Sequence, residues 1–218
     1  MAYQAAPYTP ARSYPAISSS ASSSLGYAGF SVTLWMFSMI NAAWFDATQD
    51  TLVMLLAVTI GGIAMALAGL LSFFRGRTHN MCLFLAFAAF WWSWALMVHT
   101  VNNGGVAPSG PFLGWYYLVF AVVAFALWLS AFRTGTGRMA FDLLLWLTLL
   151  ALAINGWSGV SWWRIVGGYL GLITAVVGFY LLAAAAMNAT FGRNVLPTGE
   201  AYVVETTRTE TDRQSGIL

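Results

Sequence analysis

The chain has 218 residues, 60% hydrophobic and only 7% charged. Water-soluble domains carry about 25% charged residues, so a soluble fold is excluded, and a net charge of +2 is too small for a nucleic-acid surface. All nine basic residues are arginine, and Cys82 is the single cysteine, so no intrachain disulfide forms.

Residues 1–24 are rich in Ser, Ala and Pro, with Arg12 the only charge. They lack the apolar core of a signal peptide and read as a disordered tail. Six long apolar stretches follow: Leu25 to Phe45, Thr51 to Phe74, Met81 to His99, Pro111 to Phe132, Ala140 to Ser158, and Ser161 to Met187. A membrane-spanning helix needs about 20 such residues. A membrane barrel would show shorter stretches of alternating polarity, and backbone groups in lipid must pair within their own segment. The expected fold is therefore an all-α integral membrane protein, a six-transmembrane-helix bundle over residues 25–200. Residues 201–218 are polar and mixed in charge and read as a second disordered tail.

The breaks between stretches set the expected orientation. Arg75, Arg77, Arg133, Arg138 and Arg193 fall at alternate breaks or after the last span, whereas the other breaks hold Asp46, Asp50 and uncharged residues. The positive-inside rule places the arginine side, and with it both termini, in the cytoplasm. Trp44, Trp115, Tyr116, Tyr117, Trp157, Trp162 and Trp163 gather near the opposite ends and read as an interfacial belt. Arg164, at that end of span six, snorkels to the interface or pairs with Asp46 or Asp50. Gly61, Gly62, Ala66 and Gly69 in span two, and Gly167, Gly168 and Gly171 in span six, mark close helix contacts. Those contacts lie either within one bundle or between subunits.

Enzyme motifs are absent, as are a P-loop, HExxH and any Cys/His metal cluster; no cofactor is expected. His79 and His99 sit on opposite sides of the membrane and read as interfacial polar residues. The deepest carboxylate, Asp142, follows Arg138 by one helical turn, which predicts a pair on one helix face. Proton coupling would then use the substrate's own proton or a water chain. The remaining polar groups inside the spans are Thr33, Ser38, Asn41, Asn155 and, at the end of span six, Asn188. Hydroxyls readily bond their own helix backbone. A bare amide in lipid is costly, so Asn41 and Asn155 should face protein or water. Counted from the start of their spans at about 1.5 Å per residue, these two asparagines lie at nearly one level. Phe30, Phe87 and Leu147 share another, nearer the arginine side.

Phe191-Gly-Arg-Asn-Val-Leu-Pro-Thr-Gly-Glu200 resembles the FGRxVLPxGE tail of the acetate uptake transporter family, which includes the bacterial succinate–acetate permeases. Gly61-Gly-Ile-Ala with Ala68-Gly-Leu-Leu71, Phe90-Trp91, Phe112-Leu-Gly114, and Leu25-Gly26 with Gly29-Phe30 match further family motifs in order. The resemblance implies a six-helix protomer, a homo-hexamer, and a path through each protomer narrowed by one residue each from spans one, three and five. By alignment these are Phe30, Phe87 and Leu147, with the family's usual tyrosine replaced at Phe87; Asn41 matches a family asparagine. The family's NPAPLGL is Ala21-Ser-Ser-Ser-Leu-Gly-Tyr27 here, and polar positions of its second and third spans are apolar at Met65, Leu85 and Ala86.

The implied function is passage of small monocarboxylates such as acetate, with succinate as a further candidate, across the cell membrane by a channel or proton-linked carrier and not by an enzyme. Its partners would be a small carboxylate and the lipid bilayer, with Thr33, Ser38, Asn41 and Asn155 lining the path and Arg164 in the outer vestibule. The rival readings are an accessory membrane subunit without transport, and a channel for neutral molecules such as undissociated acid or ammonia.

Overall fold

The structure, a computed structural model, describes residues 19–132 and 134–199. The tails expected over residues 1–18 and 201–218 lie outside the described residues, as do Arg133 and Glu200. The described residues are helical: α1 (Ser19–Asn41), α2 (Asp50–Val58), α3 (Met65–Phe73), α4 (Thr78–Asn102), α5 (Gly110–Ala131), α6 (Thr136–Ser158) and α7 (Ser161–Phe191). Thr59–Ala64 is a wide π-helical turn that joins α2 to α3, so the stretch from Ala47 to Phe73 is one helix of 27 residues. This helix and α4, α5, α6 and α7 are long and apolar enough to cross a membrane.

The first helix is different. α1 starts at Ser19, inside the stretch expected to be tail, and Ser22 and Ser23 are buried. Arg77 and Asn80 donate to the Ser23 hydroxyl at 3.3 and 2.8 Å. Polar first turns that are satisfied by protein carry no apolar signal, so apolarity alone starts this helix too late. α1 packs against α7 on one side and against α2, the wide turn, α3 and α4 on the others.

The helices follow one another around a closed circuit. α1 touches α7, α7 touches α6, α6 touches α5, α5 touches α4, and α4 returns to α1 through α2 and α3. Glycines set the tightest seam. A side chain at Gly168, Gly171 or Gly178 of α7 would collide with Ala42, Ser38 or Ser31 of α1. The paired numbers run in opposite directions, so the helices are antiparallel. Gly61, Gly62 and Gly69 likewise face Trp91, Trp92 and Leu85 of α4. Both small-residue stripes therefore pack inside one protomer.

The wide turn has a local role. Its carbonyls leave the α-helical register, and the Trp92 indole N–H donates to the Val58 carbonyl at 3.2 Å where it begins. At the tryptophan-rich end, Trp115 and Trp157 stack edge-on at 5.4 Å, and Trp44 donates to the Tyr169 hydroxyl at 3.1 Å. Tyr116 and Tyr117 leave the expected belt and turn inward. Tyr117 is buried, and the Tyr116 hydroxyl donates to the Phe90 carbonyl at 3.0 Å and meets Ser93 at 2.7 Å.

Candidate functional site

Aromatic side chains on α1 recur at Tyr27, Phe30 and Phe37, a spacing that keeps them on one helix face. That face looks into the circuit, and α4 and α6 answer it with rings of their own. Phe30 meets Phe87 of α4 at 5.3 Å between ring centroids and Phe141 of α6 at 5.1 Å, the latter edge-on. Tyr27 meets Phe84 and Phe141 edge-on at 5.3 and 5.4 Å. One or two turns toward the tryptophan-rich end, Phe37 lies against Trp91 and Trp94 at 5.6 and 5.4 Å. These edge-to-face contacts are the preferred geometry for ring quadrupoles. Phe30 and Phe141 are 0% exposed and Phe87 is 1% exposed, so the junction of α1, α4 and α6 is closed to a water-sized sphere in this conformation.

Phe30 and Phe87, expected at one level, are thus in contact. Leu147 stands apart. It is half-buried and lies two residues from the buried Leu145, about 200° around the helix. The inward face of α6 is Phe141, Leu145, Thr148 and Leu152. Sequence reasoning missed Phe141 because depth along a helix says nothing of the direction in which a residue faces. The signal that finds it is the spacing of these four residues on one helical face.

The expected polar lining does not converge. Thr33 Oγ1 donates to the Gly29 carbonyl at 2.8 Å, and Asn41 Nδ2 donates to the Phe37 carbonyl at 2.9 Å; both bond their own helix. Ser38 is buried against Gly171 of α7, with its hydroxyl lacking a hydrogen-bond partner. Asn155 is half-buried near the end of α6. Arg164 is half-buried and forms no ion pair with Asp46 or Asp50 among the described residues.

At the arginine-rich end the expected Arg138–Asp142 arrangement gains a partner from another helix. Asp142 Oδ2 pairs with His79 Nε2 of α4 at 3.2 Å, and His79 Nδ1 contacts Ser130 Oγ of α5 at 2.8 Å. Arg138 acts on Asp142 electrostatically from one turn away. His79 is therefore a partner of a buried carboxylate and not a solvated interfacial residue. No sequence spacing joins His79 to Asp142; only the circuit of helices brings the first turn of α4 and the second turn of α6 together. His99, at the other end, meets Asn103. Among the described residues no group of three or more metal-ligating side chains forms.

A family model, described as the GPR1/FUN34/yaaH family, matches residues 4–198. The chain belongs to this family. The succinate-acetate/proton symporter SatP of Escherichia coli K12 is 29% identical over 180 residues, 82% of this chain and 94% of the relative. Ammonia transport outward protein 3 of Saccharomyces cerevisiae is 27% identical over 169 residues, 75% of this chain and 62% of that protein. A solved structure, of the bacterial acetate channel SatP, is similar with a TM-score of 0.78 and 27% identity, covering 82% of this chain and 98% of its own.

The tail of this GPR1/FUN34/yaaH chain forms a hook on α7. Asn188 accepts the Val195 and Leu196 amides at 2.7 and 2.9 Å and donates to the Leu196 carbonyl at 2.9 Å. Tyr180 donates to the Pro197 carbonyl at 2.6 Å. The Gly137 amide donates to the Thr198 carbonyl at 3.2 Å, which ties the hook to the start of α6. Asn188 is thus an anchor for the tail, a use its position at the end of span six did not reveal.

Proposed function

We propose that this chain conducts small carboxylates, acetate before the dicarboxylate succinate, across the cell membrane through a path within each protomer. The observation that carries this reading is the likeness to a solved acetate channel over 82% of the chain. The helix circuit supports it, because its axis is filled by rings from three helices and no ionised group lies among them. The constriction is assigned to Phe30, Phe87 and Phe141. A bare carboxylate pays a large desolvation cost in such a ring, so passage needs a protonated acid, retained water or rotation of the rings. Approach is from the tryptophan-rich end, past Arg164, Asn41 and Asn155. Transport of this kind involves no covalent chemistry, and the protein is not an enzyme.

In this reading α1 is a sixth span, a member of the circuit seated between α7 and the α2–α3 helix. The arginine-rich end and both termini are cytoplasmic, and the protomers assemble as a homo-oligomer, a hexamer by family analogy.

A second reading has a specific observation behind it. The ring junction is dry and uncharged, and yeast relatives are named for outward ammonia transport; passage of a neutral small molecule fits both. Radiolabelled acetate and ammonia flux into proteoliposomes holding the purified chain separates the two. Acetate uptake above that of empty vesicles is expected. Ammonia flux alone favours the neutral path, and no flux of either leaves an accessory membrane subunit. Phe30→Ala should raise acetate flux several-fold; unchanged flux removes Phe30 from the constriction.

A further inference from the structure

The pair of His79 and Asp142 is unlike the other polar contacts of the bundle. Asp142 is 1% exposed and His79 11%. Oδ2 of Asp142 lies 3.2 Å from His79 Nε2, and neither carboxylate oxygen nor Nε2 has a hydrogen-bond partner among the described residues, so both oxygens are open to a proton. A carboxylate so placed is costly to bury, and ionisable residues inside a membrane are functional by default. Its position is also specific. Asp142 directly follows Phe141, whose ring rests on Phe30 and Tyr27. The groups around the pair are few. α4 gives His79, with Arg77 two residues before it; α5 gives Ser130 against the imidazole. α6 gives Arg138, α1 sets Tyr27 against the neighbouring Phe141 ring, and α7 brings Gly178 to that ring. Arg133 lies outside the described residues.

We propose that His79 and Asp142 form a proton-binding site that takes the proton of an incoming carboxylic acid once it has passed the rings, and returns that proton to the arginine-rich side. The inference deepens the transport reading and rests on it. The step is a proton transfer only. The O–H bond of the acid breaks, and its proton joins a carboxylate oxygen of Asp142. The anion leaves toward the arginines. Asp142 then passes the proton to Nε2 of neutral His79, whose partly exposed ring gives it to water. Imidazole is suited to this because it can accept a proton at one ring nitrogen and release one from the other.

Two measurements test this on the full chain. In infrared titration between about pH 8 and about pH 5, a carboxylic-acid band should grow on acidification, vanish in D142N, and shift its midpoint by about one pH unit in H79Q. In proteoliposomes an inward proton gradient should accelerate acetate uptake several-fold. That acceleration should be lost in D142N and H79Q, and kept in D50N, a control carboxylate at the opposite end. A band that persists unchanged in D142N, or acceleration retained in both variants, overturns the proposal. If the unmodified protein passes no acetate at all, the transport reading fails. The infrared titration needs no substrate, and it then decides alone: a band removed by D142N keeps the proton site, and no such band refutes it.

Discussion

Gly29 lies where α1 comes nearest to the wide turn, with the Ile60 backbone carbonyl occupying the space a side chain would need. Backbone cannot step aside as a flexible side chain can. Gly29→Ala is therefore expected to destabilise the protein by about 3 kcal/mol, the upper end of overpacking costs, seen as a lowered unfolding temperature in detergent. The inward rings give a second prediction. Phe141→Ala opens space beside Phe30, and acetate flux should rise several-fold. Leu147→Ala, off the inward face of α6, should change flux by no more than about twofold, as for substitutions away from the packed core. Equal effects from the two variants would contradict the assignment of Phe141. At this scale the sequence was legible where a residue's neighbours are close in the chain. Thr33 bonding its own helix follows from hydroxyl chemistry, and the common level of Phe30 and Phe87 was legible from depth, though not that the two rings face each other. His79 meeting Asp142 was not, because the pairing belongs to helix placement and leaves no mark in local spacing.

Helices and their connections were read with similar unevenness. The apolar stretches located the spans, since lipid imposes length and apolarity together. Their ends were misplaced wherever a helix begins in polar residues held by protein, as α1 does at Ser19 and α6 at Thr136. The tail was recognisable as a motif, yet its use became clear only from the hook on Asn188. Asn188→Ala removes the partners of the Val195 and Leu196 amides, and loss of such bonds costs about 1–3 kcal/mol. Faster hydrogen exchange at those two amides, with α7 otherwise unchanged, is the expected result. If exchange there stays slow, the hook is held by Tyr180 and Thr198 instead.

The whole molecule is a circuit of helices with ionised groups displaced to its ends. Its proposed orientation is open to a direct test, because Cys82 is the sole native cysteine and can be replaced. In a Cys82→Ala background, a membrane-impermeant maleimide added to intact cells should label Asn103→Cys and spare Arg193→Cys. The reverse pattern would invert the topology. Class and transport role were within reach of composition and motif, since a chain so poor in charge has no other solvent than lipid. What composition cannot convey is closure, the return of the chain's final helix to its first.

That closure governs how the protein is made. Among the described helices α1 is synthesised first and α7 last, yet each is the other's main seat. Rich in serine, α1 is less apolar than the other helices of the circuit. It can reach its full set of contacts only once Gly168, Gly171 and Gly178 are made and offer their groove. A nascent chain that stalls before Ser161 lacks the surface on which its own beginning rests.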